Sequence, residues 1–289
     1  MNGAIALWFL LVAFFTTYVA IDIRTTPEAT VMKWGFGILT VFSGPFGALL
    51  YVLSCKESLS GTHEKFVEAR WRQVVGSTAH CVAGDGIGIF AAAGVTGLLK
   101  LSYAPSVIVE YAAGFLFGWT IFQSLFMKSS VGGSYRDSLR STFLPEFLSM
   151  NGVMAGMIAV MITWMSKDPL AKSPLHARFW FVMSMALCAG FIVAYPINWW
   201  LVSHGLKHGM MTERPKGYTL PHPAPETLIA GDHSSHSMAH TSQSSSDMDS
   251  AMTSEMASKT TPREILLASL VTLGILGIGV ALASTLRLL

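Results

Sequence analysis

Residues 4–21 read AIALWFLLVAFFTTYVAI, an uncharged apolar stretch, and stretches of this kind decide the fold. About 20 apolar residues in a helix cross the roughly 30 Å hydrocarbon core of a bilayer. Seven stretches of the chain have this character, and each predicts a transmembrane helix. They are Ala4–Ile21, Val31–Ser54, Val74–Leu99, Ser106–Met127, Phe143–Met165, Phe179–Val202 and Ile265–Leu286.

The composition supports the same fold class. Hydrophobic residues make up 52% of the 289 residues, charged residues make up 12%, and the mean hydropathy is +0.50. A soluble globular protein carries about 25% charged residues. The formal net charge is only +2. These values exclude a soluble enzyme, a disordered protein and a nucleic-acid binder, and they predict an all-α polytopic membrane protein with about seven transmembrane helices, in contact with lipid.

The chain divides into five predicted parts. Residues 1–55 hold two helices, 56–73 form a charged amphipathic connector, 74–210 form a four-helix core, and 264–289 form the last helix. Residues 211–263 are rich in Ser, His and Met and have few large apolar side chains, so this linker is predicted to be disordered. With seven crossings, the loops on the same side of the membrane as the N-terminus carry more Lys and Arg than the loops on the other side. Because basic loops tend to stay in the cytoplasm, this favours a cytoplasmic N-terminus.

The segment TAHCVAGD, residues 78–85, is the strongest candidate site. Cys81 and Asp85 are four residues apart and share a helix face, with His80 about 100° away around the helix. Ionisable groups in a transmembrane helix are costly and mark ion, proton or ligand pathways. Imidazole, thiolate and carboxylate also suit a transition metal. We predict an intramembrane metal site, and a polar cluster that only fixes helix packing is the alternative.

Two further acidic residues lie in predicted helices. Glu110 is near the start of the fourth helix and Glu146 near the start of the fifth. Either carboxylate is expected to complete the metal site or to carry protons along an ion pathway. The alternative is a position near the membrane interface, where a carboxylate reaches water at little cost.

The fifth predicted helix carries a methionine series with helical spacing. Met150, Met154, Met157 and Met161 share one face, and Met165 continues the series. Thioethers are soft ligands that select Cu(I), so the series predicts a copper path. Methionine is also an ordinary filler of apolar cores, which is the alternative.

The predicted linker repeats the same chemistry. His233, His236, Met238 and His240 lie within one short stretch, DHSSHSMAH. Short His-rich tracts bind metals, so these four residues predict a site of metal capture. A polar linker without any ligand geometry is the alternative.

Five stretches together resemble the bacterial membrane proteins that carry DUF4396, an uncharacterised domain. They are VAIDI from residue 19, GPFG from 44, HCVAGDGIG from 80, GFLFG from 114 and YPINWW from 195. The resemblance covers residues 1–210 and implies a protein of the inner membrane. The family often has a second cysteine where this chain has Asp85, and an acidic residue where it has Ile89. These differences weaken a dithiol site here.

The leading hypothesis is a multi-pass inner-membrane protein that binds or moves a transition-metal cation, most plausibly copper. Walker, GxSxG and HExxH motifs are absent from the sequence, which favours a role other than an enzyme. A structural or partner-binding membrane subunit is one alternative. A proton-coupled transporter of small solutes, or a subunit of a membrane oxidoreductase, is another. Small-residue pairs on three of the predicted helices indicate the tightly packed centre of the bundle. A homo-oligomer or a membrane partner is also compatible with the sequence.

Overall fold

The computed structural model describes residues 2–57, 63–125, 134–207, 209 and 260–288. Within these ranges the regular structure is helical, which confirms the all-α fold class. A π-helical segment, Gly118–Gln123, continues α6, and a short 3-10 helix spans Pro169–Lys172. The α-helices are α1 (Asn2–Asp22), α2 (Thr30–Ser43), α3 (Pro45–Cys55), α4 (His63–Val67), α5 (Arg70–Leu98), α6 (Tyr103–Phe117), α7 (Tyr135–Met165), α8 (Ala177–Ser203) and α9 (Pro262–Leu288).

Six of the described helices are long and apolar enough to cross a membrane: α1, α5, α6 with its π-helical continuation, α7, α8 and α9. They make the chain a multi-pass membrane protein. Helices α5 and α7 are mostly buried among the others, whereas α1 and α9 expose most of their surface. The centre of the bundle therefore lies around α5 and α7, and α1 and α9 present most of their apolar surface to lipid.

The second apolar stretch differs from the prediction of one transmembrane helix. It is divided at Gly44, which has a positive φ of 54° and precedes Pro45. Glycine adopts a positive φ without steric cost. Proline fits the first turn of a helix, where its missing amide hydrogen would have no partner, but it disrupts a helix interior. The resulting helices have 14 and 11 residues. At about 21 and 16 Å, neither is long enough to cross the membrane.

Helices α2 and α3 fold back on each other as a re-entrant hairpin. A continuous helix over residues 30–55 would hold its ends about 39 Å apart. Instead, the Tyr51 hydroxyl near the end of α3 lies 2.7 Å from Thr26 Oγ1, just before α2. Tyr51 also donates to Asp22 at 2.7 Å, and Lys56 binds the same carboxylate at 2.6 Å. The hairpin thus enters and leaves the bundle on one side.

The hairpin changes the expected orientation. With six crossings instead of seven, the loops after α3, after the π-helical segment and after α8 lie opposite the start of α1. Most of the 19 Lys and Arg residues belong to segments on that opposite side. Because Lys and Arg are enriched in cytoplasmic loops, the same rule applied to six crossings favours a start of α1 outside the cytoplasm. The expectation of a cytoplasmic N-terminus rested on counting the hairpin as a crossing.

Glycines allow the central helices to approach closely. A Cβ atom on Gly88 of α5 would overlap the Ala113 carbonyl of α6, and one on Gly156 of α7 would overlap the Ala189 carbonyl of α8. Such contacts are the usual role of small residues in membrane helices. Helix α9 joins α7 through a 3.2 Å hydrogen bond from Asn151 to Thr272. The predicted linker lies outside the described residues except for its last four positions, 260–263.

Candidate functional site

The candidate site, called here the central cluster, consists of Cys81 and Asp85 on α5 with Glu146 on α7. The Cys81 thiol lies 3.1 Å from Glu146 Oε2 and 3.7 Å from Asp85 Oδ2. One ligand atom from each of the three side chains lies within 4.8 Å of the others. All three residues are fully buried. The i, i+4 spacing on α5 and the close approach of α7 bring the groups together.

A polar chain extends from the central cluster into α8. The Cys81 thiol also lies 3.1 Å from Ser149 Oγ, and Ser149 accepts a 2.8 Å hydrogen bond from Asn198 Nδ2. Asn198 Oδ1 in turn accepts a 2.9 Å bond from Lys207 Nζ. The Lys207 ammonium lies 3.6 Å from Glu146 Oε2. The buried Lys207 ammonium therefore lies at the edge of the cluster, on the side where α8 ends.

Lys207 supplies positive charge to this acidic site. Burial disfavours its charged form, but Cys81, Glu146 and Asp85 nearby raise the pKa of Lys207 above its ordinary value. The ammonium therefore stays protonated at neutral pH. One ammonium lies beside two carboxyl groups and a thiol, so the cluster holds more acidic groups than cationic ones. The cluster can accept a further proton or cation.

The π-helical segment forms one wall of the central cluster. A Cβ atom on Gly118 would overlap both Asp85 Oδ1 and Glu146 Oε1, so these two oxygens face the glycine from opposite helices. Among the described residues no amide, hydroxyl or ammonium group donates to either oxygen, and the two carboxyl groups lie within hydrogen-bond reach of each other. Wide π-helical turns often occur at functional sites. Here the missing side chain lets both carboxylate oxygens pack directly against the backbone of the π-helical segment.

His80 is buried but lies outside the central cluster. Its ring centroid is 5.3 Å from that of Phe122, and its backbone packs opposite Gly35 of the hairpin. The structure thus separates His80 from its sequence neighbour Cys81, as expected for residues about 100° apart on a helix. The sulfur and oxygen groups come together, and the predicted imidazole ligand does not join them.

The predicted methionine ligands lie in the apolar core. Met150, Met154, Met157 and Met161 are all buried there. The Met150 side chain packs beside Gly114 of α6, and that of Met157 packs beside Gly190 of α8. The series begins one turn after Glu146 and follows α7 away from it.

Glu110 occupies a different place from Glu146. It lies on α6 and accepts a long hydrogen bond of 3.4 Å from Thr96, near the end of α5. Asp85 precedes Thr96 by 11 positions, or about 16 Å of helix. The two acidic residues predicted to serve one pathway therefore lie at separate depths. The predicted capture residues His233, His236, Met238 and His240 lie outside the described residues.

Four residues of the site were not predicted from the sequence. Ser149 and Gly118 resemble ordinary polar and packing positions, and Asn198 lies beside Trp199 and Trp200, a pair typical of an interfacial anchor. Lys207 resembles any other basic residue in a loop that follows an apolar helix. The Asn198 signal was visible, because an amide two residues after Pro196 inside an apolar helix needs a partner. Nothing in the sequence indicated that Lys207 reaches back beneath the end of α8.

Residues 70–207 match the family model for the domain of unknown function DUF4396. This segment, from α5 to the residue that completes the polar chain, therefore carries that domain. It contains every side chain of the central cluster. No curated protein and no solved structure matches the chain.

Proposed function

We propose that the protein binds a divalent transition-metal cation at the central cluster and moves it across the membrane. The observation that carries this proposal is the group formed by Cys81, Asp85 and Glu146, whose ligand atoms lie within 4.8 Å of one another in fully buried positions. A thiolate with two carboxylates is a donor set that suits Zn²⁺ and neighbouring ions.

The polar atoms of the cluster favour a ligand over a packing role. Groups that only hold helices together have all their hydrogen bonds satisfied. Asp85 Oδ1 and Glu146 Oε1 receive no donated bond from an amide, hydroxyl or ammonium group of the described residues, and the two carboxyl groups contact each other beside Gly118. A cation bound there would interact with both carboxyl groups. Three acidic or thiol groups in transmembrane helices are too costly to be incidental.

The donor set also bears on the identity of the metal. Cu(I) favours thiolate and thioether sulfur, whereas the central cluster offers one sulfur and carboxylate oxygens. The cluster therefore favours Zn²⁺ as cargo. Copper is the cargo favoured by the methionine series on α7 and by the capture residues, and it is the second metal to test.

The test is metal content and binding in detergent-purified protein under reducing conditions. Mass spectrometry would quantify bound metal after loading with Zn²⁺ or with copper, and calorimetry would give affinities. All proteins would lack residues 232–256, so that the predicted capture residues do not contribute. Cys81→Ser and Asp85→Asn should lose the bound metal. Cys188→Ser on α8 is the matched control and should retain it.

Two results would contradict the proposal. Equal metal content in Cys81→Ser and Cys188→Ser would remove the central cluster from metal binding. Absence of Zn²⁺ and copper from every variant, including the parent, would favour the second candidate function. That candidate is proton-coupled movement of a solute, and the supporting observation is that Lys207 already lies 3.6 Å from Glu146. A proton would then bridge Asp85 and Glu146.

A further inference from the structure

A second polar site lies in a cavity away from the central cluster. The cavity has a volume of about 480 Å³ and lies between the end of α5, the start of α6 and the end of α7. Its wall includes Leu101 and Lys172, which belong to the connections on the side of the bundle opposite Lys207. The cavity is therefore reached from the side of the membrane where α1 begins.

Glu110 is the acidic group of this cavity. Only 3% of the residue is exposed, and it lines the cavity together with Thr96. The Thr96 hydroxyl donates to Glu110 Oε1 at the long distance of 3.4 Å. Glu110 Oε2 has no hydrogen-bond partner within the described ranges. Lys172 also contributes to the wall, but it is exposed and its charge is screened by solvent.

The size and the walls of the cavity indicate the class of ligand. A volume near 480 Å³ lies in the range of sites for small organic molecules and far exceeds that of a bare metal ion. Apolar and aromatic side chains, including Phe179, Tyr103 and Ile162, surround the single carboxylate. Aromatic faces and a buried carboxylate together favour an organic cation.

We propose that this cavity binds a small organic ammonium compound, with its ammonium group at Glu110 Oε2 and its carbon skeleton against Phe179 and Ile162. The site is separate from the central cluster, because about 16 Å of α5 lies between Asp85 and Thr96. The proposal therefore does not depend on metal binding. It adds a solute site on the side from which the cavity opens.

Choline and ethanolamine serve as probes, with 3,3-dimethylbutan-1-ol as the uncharged equivalent of choline. Binding would be measured by calorimetry in a maltoside detergent, which has no ammonium group. At least one probe should bind wild-type protein, and at least about tenfold more tightly than the neutral alcohol, since attraction between the buried carboxylate and a cation, with a charged hydrogen bond in the case of ethanolamine, contributes that much affinity. Glu110→Gln should remove this preference while it leaves Zn²⁺ binding at the central cluster unchanged.

Three results would overturn the proposal. The first is equal affinity of wild-type protein for choline, ethanolamine and the neutral alcohol, which needs no variant to be folded. The second is unchanged probe affinity in Glu110→Gln. The third is occupancy only by a phosphocholine lipid, measured with phosphatidylcholine vesicles, because the cavity would then hold lipid instead of a free solute. Phe179→Leu should weaken the cation more than the alcohol.

Discussion

The central cluster and the Glu110 cavity place buried carboxyl groups against the same helix, α5, in opposite surroundings. Asp85 and Glu146 lie close to a thiol, an ammonium and a chain of amide and hydroxyl groups. Glu110 has one long hydrogen bond from Thr96 and opens on about 480 Å³ of space. One site has several polar groups and little room, and the other has one buried carboxylate and ample room.

This difference determines which ligand each site can select. A dehydrated metal ion needs several ligands within about 2–2.3 Å of it, and only the central cluster brings three donor groups together. An organic cation needs volume, apolar walls and one opposite charge, and only the cavity offers these. The number of donors and the available space, more than the presence of a carboxylate, therefore separate the two functions.

Removing the cation at the edge of the central cluster should have the largest effect on the free energy of unfolding. Lys207→Met would leave Glu146 and Asp85 buried without their ammonium neighbour. Breaking a buried ion pair from one side costs about 3–5 kcal/mol. We expect a loss of that size in the free energy of unfolding, measured by denaturation in detergent. Added Zn²⁺ should restore part of it if a metal can take the place of the ammonium charge.

Lys172→Met is the matched control, because Lys172 lines the Glu110 cavity but is exposed. Its effect should stay within about 0.5 kcal/mol, as for most surface substitutions. Similar losses for the two lysine variants would contradict the assignment of Lys207 as the counter-ion of the central cluster.

A fourth buried carboxyl group, that of Glu28 beside the hairpin, provides a reference outside the transmembrane helices. His63 contacts Glu28 at 2.9 Å and also contacts Glu57. Burial raises the pKa of Glu28 to about 7, with His63 opposing the rise. Between pH 4.5 and 7 the folded protein retains a proton that the unfolded chain releases. The free energy of unfolding should therefore fall as pH rises through this window, by on the order of 3 kcal/mol.

Glu28→Gln tests this dependence because glutamine does not titrate. The difference in free energy of unfolding, variant minus wild type, should increase between pH 4.5 and 7 and then level off. Denaturation curves at pH 5, 6, 7 and 8 would measure it. Parallel pH profiles for the two proteins would show that burial of Glu28 does not control its protonation.

The sequence predicted much of this arrangement, and its failures have physical causes. Apolar length alone identified the six crossing helices, and the spacing of Cys81 and Asp85 placed both groups on one face. The division at Gly44 was signalled by the following Pro45, but continuous hydrophobicity concealed it. Lys207 could not be predicted, because its role depends on how the end of α8 packs against α7. Whether Glu146 or Glu110 joins the central cluster likewise depends on the depth at which the helices meet.

The smallest effect on stability should come from adding a methyl group where the carboxylate oxygens of Asp85 and Glu146 pack against Gly118. Gly118→Ala adds a methyl group that would overlap Asp85 Oδ1 and Glu146 Oε1, and overpacking of this kind costs about 1–3 kcal/mol. Gly274→Ala on α9 is the matched control, because a Cβ atom there meets nothing within 4 Å. We expect Gly118→Ala to weaken Zn²⁺ binding by calorimetry while choline binding at Glu110 is retained. Loss of both ligands would mean that the central cluster and the cavity are coupled, and unchanged Zn²⁺ affinity would mean that the metal does not bridge the oxygens facing Gly118.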